Sequence, residues 1–295
     1  MFLHAELDGL PQHIGGVSIY DQSSAPGGKV RFKQILAMLE SRLHLSPIFR
    51  RKLAFVPYGL GRPYWVEDPT FDLEYHVRHI ALPKPGDWRQ LCILSARIHS
   101  TPLRRDKPMW EIYVIEGLNN IEGFPPNCFA MLMKVHHCAM DGATGTQFMN
   151  IMHDLSPEVH DPGKAPAWVV ERPSRLGMLA RAYVDVWRKP GQVVDVVKQA
   201  MPAIRRLREG EEAERFHYLG DKSKTRFQGK ISRHRVVEAR TFDFAEIRKI
   251  KNTLPGCTVN DVMLTIVAGG LRKYLDSKGE LPDNSLVTGC PIDVR

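Results

Sequence analysis

Apolar residues recur at helical spacing early in this chain. Phe32, Ile35, Leu36, Leu39 and Leu43 share one face, and Ser46-Pro47 ends the run, which predicts an amphipathic helix over residues 30–45. A second helix is expected over Asp87–Ser100, carried by Leu91, Ile93, Leu94 and Ile98. Between them, Trp65, Phe71, Leu73, Tyr75 and Val77 alternate in part with polar residues while Pro57, Pro63, Pro69 and Pro83 interrupt them. That is the pattern of short strands and turns. Gly16–Tyr20 and Trp110–Gly117 read as strands, Arg50-Arg51-Lys52 as a solvated helix end or turn ahead of a phosphate contact, and His76 and His79 as surface or satisfied structural histidines.

One apolar run ends more abruptly than the others. Met131–Val135 leads into His136-His137, then Cys138-Ala139-Met140 and Asp141-Gly142, the signature of a buried strand running out into a turn. Phe148, Met149, Ile151 and Met152 then resume helical spacing. Adjacent strand residues point to opposite faces, so one imidazole faces a given pocket while the other packs behind it. Spacing alone leaves three readings open: polar residues at a strand end, a metal-ligand pair, or a general base. Gly142 interrupts the continuous helix that a His/Asp ligand pair would need, and no HxxxH or HxH pattern completes a coordination sphere, so no metal is expected. A neutral imidazole taking a proton from a hydroxyl needs fewer coincidences.

Beyond the motif, the four prolines of Pro157–Pro173 mark a boundary. Leu176, Leu179, Ala180, Tyr183, Val184 and Trp187 form one apolar stripe, and Val193, Val194, Val197, Met201, Ile204 and Leu207 a second. Two readings stand for these helices: packing on the protein itself, or lying in a membrane interface with Arg and Lys among the headgroups. Val236–Phe244 and Leu286–Arg295 read as strands, Asp243–Asn252 as a helix capped by Asp243, and Cys257–Leu275 as a further helix. Asn260 and Asp261 near its start suit either an oxyanion or phosphate contact or a capping role. The expected organisation is an N-terminal subdomain over 1–160, a basic amphipathic-helical linker over 161–235, and the start of a further subdomain over 236–295.

Composition narrows the class. Of 295 residues, 43% are hydrophobic and 25% charged, proportions of a soluble globular protein. No apolar run approaches a membrane-spanning length, and no signal-peptide pattern opens the chain. Five widely spaced cysteines without a CxxC pair read as free thiols in a reducing cytoplasm, and Cys138 as a packing residue rather than a nucleophile. Between Arg172 and Arg235 there are 16 Lys/Arg against 7 Asp/Glu, so the net charge of +8 sits almost wholly there. Such a segment attracts anions, but no nucleic-acid-binding pattern accompanies it, and no nucleic acid partner is expected.

His136-His137-Cys138-Ala139-Met140-Asp141-Gly142 is an HHxxxDG motif, similar to the signature of the CoA-dependent acyltransferase superfamily. The flanks are more specific. Pro102-Leu103 with Arg105, then Pro108-Met109-Trp110-Glu111, resembles the PLxRxxPLW segment of the bacterial bifunctional wax ester synthase/acyl-CoA:diacylglycerol acyltransferase family, with Met in place of the usual Leu. Thr258-Val259-Asn260-Asp261-Val262 resembles that family's Asn-Asp block, and Pro291–Arg295 its PVSVR-like segment. The opening MFLHAE and His13–Val17 match as well, so the resemblance runs from end to end.

The resemblance implies a mixed α/β fold of the chloramphenicol-acetyltransferase type, with the N-terminal subdomain complete and the second only begun, because the family continues beyond its PVSVR-like block. A C-terminally truncated acyltransferase is therefore expected. It implies transfer of a long-chain acyl group from acyl-CoA to a fatty alcohol or to diacylglycerol, with acyl-CoA as co-substrate and no cofactor. His137 would be the general base, His136 its buttress and Asp141 a structural carboxylate paired with an arginine such as Arg295. Gly142 would allow the turn, Asn260 and Asp261 would support the site, and Trp110 would shape it. A cytoplasmic protein held peripherally at the inner membrane or at lipid inclusions is expected. The alternative is a catalytically inactive fragment that binds lipid surfaces.

Overall fold

The structure is a computed structural model and describes residues 3, 6, 11–59, 62–139, 148–154, 156, 158, 161–164, 174–188, 225–228 and 232–286. The chain divides into two compact units. One comprises Met1–Gly191, Ser232–Val237 and Asp293–Arg295; the other comprises Gln192–Ile231 and Glu238–Ile292.

The first unit is built on a four-stranded sheet of β1 (His13–Tyr20), β4 (Val77–Ala81), β5 (Trp110–Leu118) and β6 (Cys128–His136), in the order β1-β6-β5-β4. β6 pairs antiparallel with both β1 and β5, and β4 pairs parallel with β5, so the sheet is mixed. β2 (Arg51–Ala54) and β3 (Tyr64–Glu67) form a separate antiparallel ribbon. There Arg51 pairs with Glu67 at 2.9 Å and Lys52 with Asp68 at 2.9 Å, which occupies most of the basic cluster expected to be a solvated turn.

Every residue of β6 is buried, because helices cover both faces of the sheet. On one face, Phe129, Met131, Met133 and Val135 join Trp110, Ile112 and Val114 of β5. They pack with Ile35, Leu39 and Leu43 from α1 (Phe32–Arg42) and its extension, and with Phe49, Phe148 and Met152. On the other face, Cys128, Ala130 and Leu132 meet Tyr113, Ile115 and Leu118, beneath Leu91 and Ile98 of α3 (Trp88–Ser100). Asp87 begins α3 through a capping box, accepting from Gln90 N at 2.8 Å while its own N–H donates to Gln90 Oε1 at 3.1 Å. A single turn, α2 (Leu73–His76), precedes β4. Residues 148–152 are helical (α4), and α5 (Arg175–Arg188) follows with Met178 buried but Leu176, Tyr183 and Val184 exposed.

The second unit contains α6 (Phe244–Asn252), capped by Asp243 as expected, and α7 (Val259–Asp276). The strand expected over Val236–Phe244 is not formed. Residues 236–243 are irregular, Val236 is 94% exposed, and Phe244 already belongs to α6. Alternation cannot stabilise a strand without a neighbour to take its hydrogen bonds, and none pairs with it among the described residues. The second apolar stripe, at Val193–Leu207, lies outside the described residues, as does all of the strand expected over Leu286–Arg295 beyond Leu286 itself.

Candidate functional site

The end of β6 is gripped from both sides. In the β5 register Trp110 stands opposite Val135, and the next N–H, that of His136, donates to Met109 O at 3.0 Å. The N–H of His137 turns the other way and donates to Gln12 O at 2.9 Å, just before β1. Ala139 N–H then donates to His136 O at 2.9 Å and closes a turn. Both imidazoles therefore sit on a backbone held by the two flanking strands. The Pro-Met-Trp segment supplies one of those holds. The α1 end secures the helix beyond the motif, where Arg42 donates to Ile151 O at 2.9 Å and pairs with Asp154.

His136 and His137 part company here. His136 is completely buried, whereas His137 is half-buried in the turn. Cys138 N–H donates to His136 Nδ1 at 3.0 Å, so in the neutral ring the proton resides on Nε2. That nitrogen faces Glu6 Oε2 at 3.6 Å. Glu6 in turn is held by Arg105, whose Nε donates to Oε2 at 3.1 Å and whose Nη2 pairs with the same oxygen. Burial pushes the Glu6 carboxyl up, but the bond to Arg105 and its charge outweigh this and hold it below the usual carboxylate range. Burial holds His136 below the usual imidazole value, with the Glu6 charge opposing.

Cys138 is also constrained. Burial, followed by the Glu6 charge, pushes its thiol up to about 11, and its Sγ lies 3.6 Å from Met109 Sδ. A thiol in this state is protonated near neutral pH, consistent with packing rather than nucleophilic chemistry. A cavity of about 290 Å³ opens beside the turn, lined by Ser46, Pro47, Ile48, Arg51, Trp65, Cys138 and Ala139. A larger groove of about 640 Å³, between Leu36, Arg50 and Asp72, includes none of the described motif residues among its lining.

The structure thus brings together His136, His137 and the Trp110 segment. Trp110 itself is core: its Nε1–H donates to Phe49 O at 3.0 Å, and its carbonyl accepts from His76 Nδ1 at 2.7 Å. His76 is wholly buried, and that bond fixes its ring, as expected of a structural histidine. Asn260 and Asp261 lie in the second unit, in the first turn of α7. Asp261 closes a capping box with Thr258, accepting from Thr258 N at 2.7 Å while its own N–H donates to Thr258 Oγ1 at 3.2 Å. Asn260 is exposed and takes no part in that box. Asp141, Gly142 and Arg295 lie outside the described residues. Among the described residues no cluster of three His, Cys, Asp or Glu could hold a metal.

Two residues at this site, Glu6 and Arg105, do not stand out in the sequence as site residues. The only signal for them is their place inside the MFLHAE and Pro-Leu-x-Arg stretches, 99 positions apart.

A relative from Mycobacterium tuberculosis strain H37Rv, provisionally named a diacylglycerol O-acyltransferase, is 33% identical over 287 residues, covering 96% of this chain and 59% of the relative. A second from the same strain, with the same provisional activity in its name, is 30% identical over 298 residues, covering all of this chain and 63% of the relative. The solved wax ester synthase/diacylglycerol acyltransferase from Marinobacter aquaeolei VT8 superposes with a TM-score of 0.61 at 28% identity, covering 96% of this chain and 61% of that one. That likeness agrees with the mixed α/β fold of CoA-dependent acyltransferases expected from the sequence. The chain spans about three-fifths of the length of these relatives. The family described as wax ester synthase/diacylglycerol acyltransferase catalytic domain matches residues 1–263, a span holding both histidines, the Trp110 segment and the Asn260-Asp261 pair, and the chain belongs to that family.

Proposed function

We propose that this chain carries the histidine-bearing part of an acyl-CoA-dependent O-acyltransferase that forms wax esters or triacylglycerol. One observation supports this most: the motif turn seals His136 in the core and leaves His137 half-buried, and the next two residues of the turn, Cys138 and Ala139, line a cavity. His137 takes the proton from a long-chain alcohol or from the free hydroxyl of diacylglycerol. The oxygen attacks the thioester carbonyl of acyl-CoA, and the tetrahedral oxyanion collapses with cleavage of the C–S bond. Protonated His137 returns its proton to the departing thiolate. Backbone N–H groups are the candidates for holding the oxyanion. Asp141 keeps its proposed structural role, paired with an arginine such as Arg295. The chemistry needs acyl-CoA as co-substrate and no cofactor.

Water-insoluble acceptors favour an enzyme that rests on the phase where they dissolve. Leu176, Tyr183 and Val184 stand exposed on α5 within the basic segment, which suits a peripheral lipid surface. No helix among the described residues is long and apolar enough to cross a membrane. The comparisons lend no support to the inactive-fragment alternative.

The test is CoA thiol release from palmitoyl-CoA with hexadecanol or diacylglycerol, for this chain and for His137→Ala. Acceptor-dependent release that His137→Ala abolishes is expected. Release that ignores the acceptor, or that survives the substitution, would overturn the proposal.

A further inference from the structure

Three stretches far apart in sequence meet at one imidazole. Arg105, from the loop before β5, holds Glu6 of the N-terminal stretch, and Glu6 faces Nε2 of His136 at the end of β6. The opposite nitrogen of that ring is already committed, because Nδ1 accepts from Cys138 N–H at 3.0 Å. The remaining proton must therefore lie on Nε2. This N–H is buried, and among the described residues it has no partner within hydrogen-bond distance. At 3.6 Å the Glu6 carboxylate is the acceptor it faces. A buried donor is stable only with an acceptor to receive it, so the direction of the ring is tied to Glu6. Moving the proton to Nδ1 would set two N–H groups against each other at Cys138 and leave a lone pair on Nε2 facing a carboxylate, so each contact would become a repulsion.

We infer that Glu6 is a positioning residue: with Arg105 holding its carboxylate in place, it fixes the His136 ring and, through the turn that His136 closes, the backbone from which His137 projects. This rests on the proposal that His137 is the base. The mechanism is indirect. Glu6 touches His136, His136 Nδ1 binds Cys138 N–H, and His136 O accepts from Ala139 N–H, so the turn is held from the ring and from the carbonyl together. The two ends of the turn bracket His137. Arg105 serves by keeping Glu6 ionised, as its effect on the Glu6 carboxyl indicates. The charged or titratable groups facing His136 are Glu6, Arg105 and His137, with His13 opposite it in the β1 register. Arg105 and His137 disfavour a charged His136, and Glu6 favours it.

The experiment compares this chain with Glu6→Gln, Glu6→Asp and Arg105→Gln by ¹⁵N NMR of labelled histidines across pH and by acceptor-dependent thiol release. In the parent chain the neutral His136 should show the Nε2–H tautomer. In Glu6→Gln its titration should move to lower pH, because the neighbouring negative charge is gone, and kcat should fall about 10- to 100-fold with KM for acyl-CoA little changed. Glu6→Asp, which keeps the charge, should restore most of the titration and part of the rate, and it stands in if Glu6→Gln does not fold. Arg105→Gln should move the His136 titration as well, and combining it with Glu6→Gln should add little to the loss of rate. Unchanged His136 signals in Glu6→Gln would overturn the inference, whatever happens to activity or melting temperature, since a carboxylate that only ties down the N-terminal stretch leaves them alone. The NMR measurement needs no turnover. Release that ignores the acceptor, with His136 signals that still move, would defeat the acyl-transfer proposal while supporting the contact to Glu6.

Discussion

Lys134 Nζ lies 3.1 Å from Glu111 Oε2 inside the first unit, and no part of the lysine side chain reaches solvent. The pair spans β6 and β5 on the face covered by α3, where Lys134 also donates to Ile98 O at 3.1 Å and Thr101 O at 2.8 Å. Those are carbonyls at the C-terminal end of α3, the negative end of its dipole, so a buried ammonium there completes the helix. Glu111 accepts from Tyr113 OH at 2.9 Å as well. Burial lowers the Lys134 pKa, with Glu111 opposing, so the ammonium depends on its partner.

Removing the lysine alone should therefore hurt more than removing the pair. Lys134→Met leaves the buried Glu111 to the Tyr113 hydroxyl and to Arg78 at 3.8 Å, and the end of α3 unsatisfied, an expected loss of about 3–5 kcal/mol of stability. Lys134→Met with Glu111→Leu should recover part of it. Urea unfolding of the two variants checks this. A Lys134→Met chain within about 1 kcal/mol of the parent, judged against that range, would show that the pair contributes little.

Lys134 also illustrates what the sequence conceals. It lies inside Met131–Val135, which reads as an apolar run, yet its amine is the polar centre of the α3 face. Period and capping reveal α1, α3, β5 and β6, because their burial pattern is local. β1 begins at His13 rather than Gly16: His13 and Gly15 are poor strand signals on either side of Ile14, and it is the pairing with Lys134–His136 that extends the strand over them. The irregular stretch at 236–243 is the converse, a good pattern without a partner strand among the described residues. The His136-His137 turn is legible because apolar residues stop there. Glu6 and Arg105 are not, because their roles depend on contacts spanning 99 and 130 positions of chain.

Cys138 follows the two histidines in the chain and lines the cavity, and its chemistry follows from burial. A thiol pushed up to about 11 carries roughly 100-fold less thiolate near neutral pH than one titrating near 9. Iodoacetamide should accordingly label Cys138 about 100-fold more slowly at pH 7.5 than a small free thiol, as read by mass spectrometry of the peptide. Cys138→Ala should retain acceptor-dependent thiol release within about threefold, a barrier change under 1 kcal/mol. Rapid labelling together with lost activity would instead mark Cys138 as a reacting group.

His13 makes the first unit sensitive to acid. It stands opposite His136 in the β1–β6 register, and its Nε2–H donates to His99 O at 2.7 Å. Its Nδ1 is buried, with no hydrogen-bond partner among the described residues, and the His99 ring packs edge-on at 4.6 Å. Burial is the largest cause that depresses its pKa, to about 4; the His99 carbonyl opposes, and Lys134, His99 and His136 add to the depression. The unfolded imidazole titrates near 6.5, so between that pH and about 4 the unfolded chain binds a proton that the folded chain refuses. Stability from this group is complete above pH 6.5 and is lost as pH falls through the window, by about 2–3 kcal/mol at pH 4.5. Urea midpoints for the parent and for His13→Gln, taken from pH 7.5 to 4.5, should converge as pH falls, since the variant lacks this proton linkage. Parallel curves would show that His13 is protonated as readily in the folded chain as in the unfolded one.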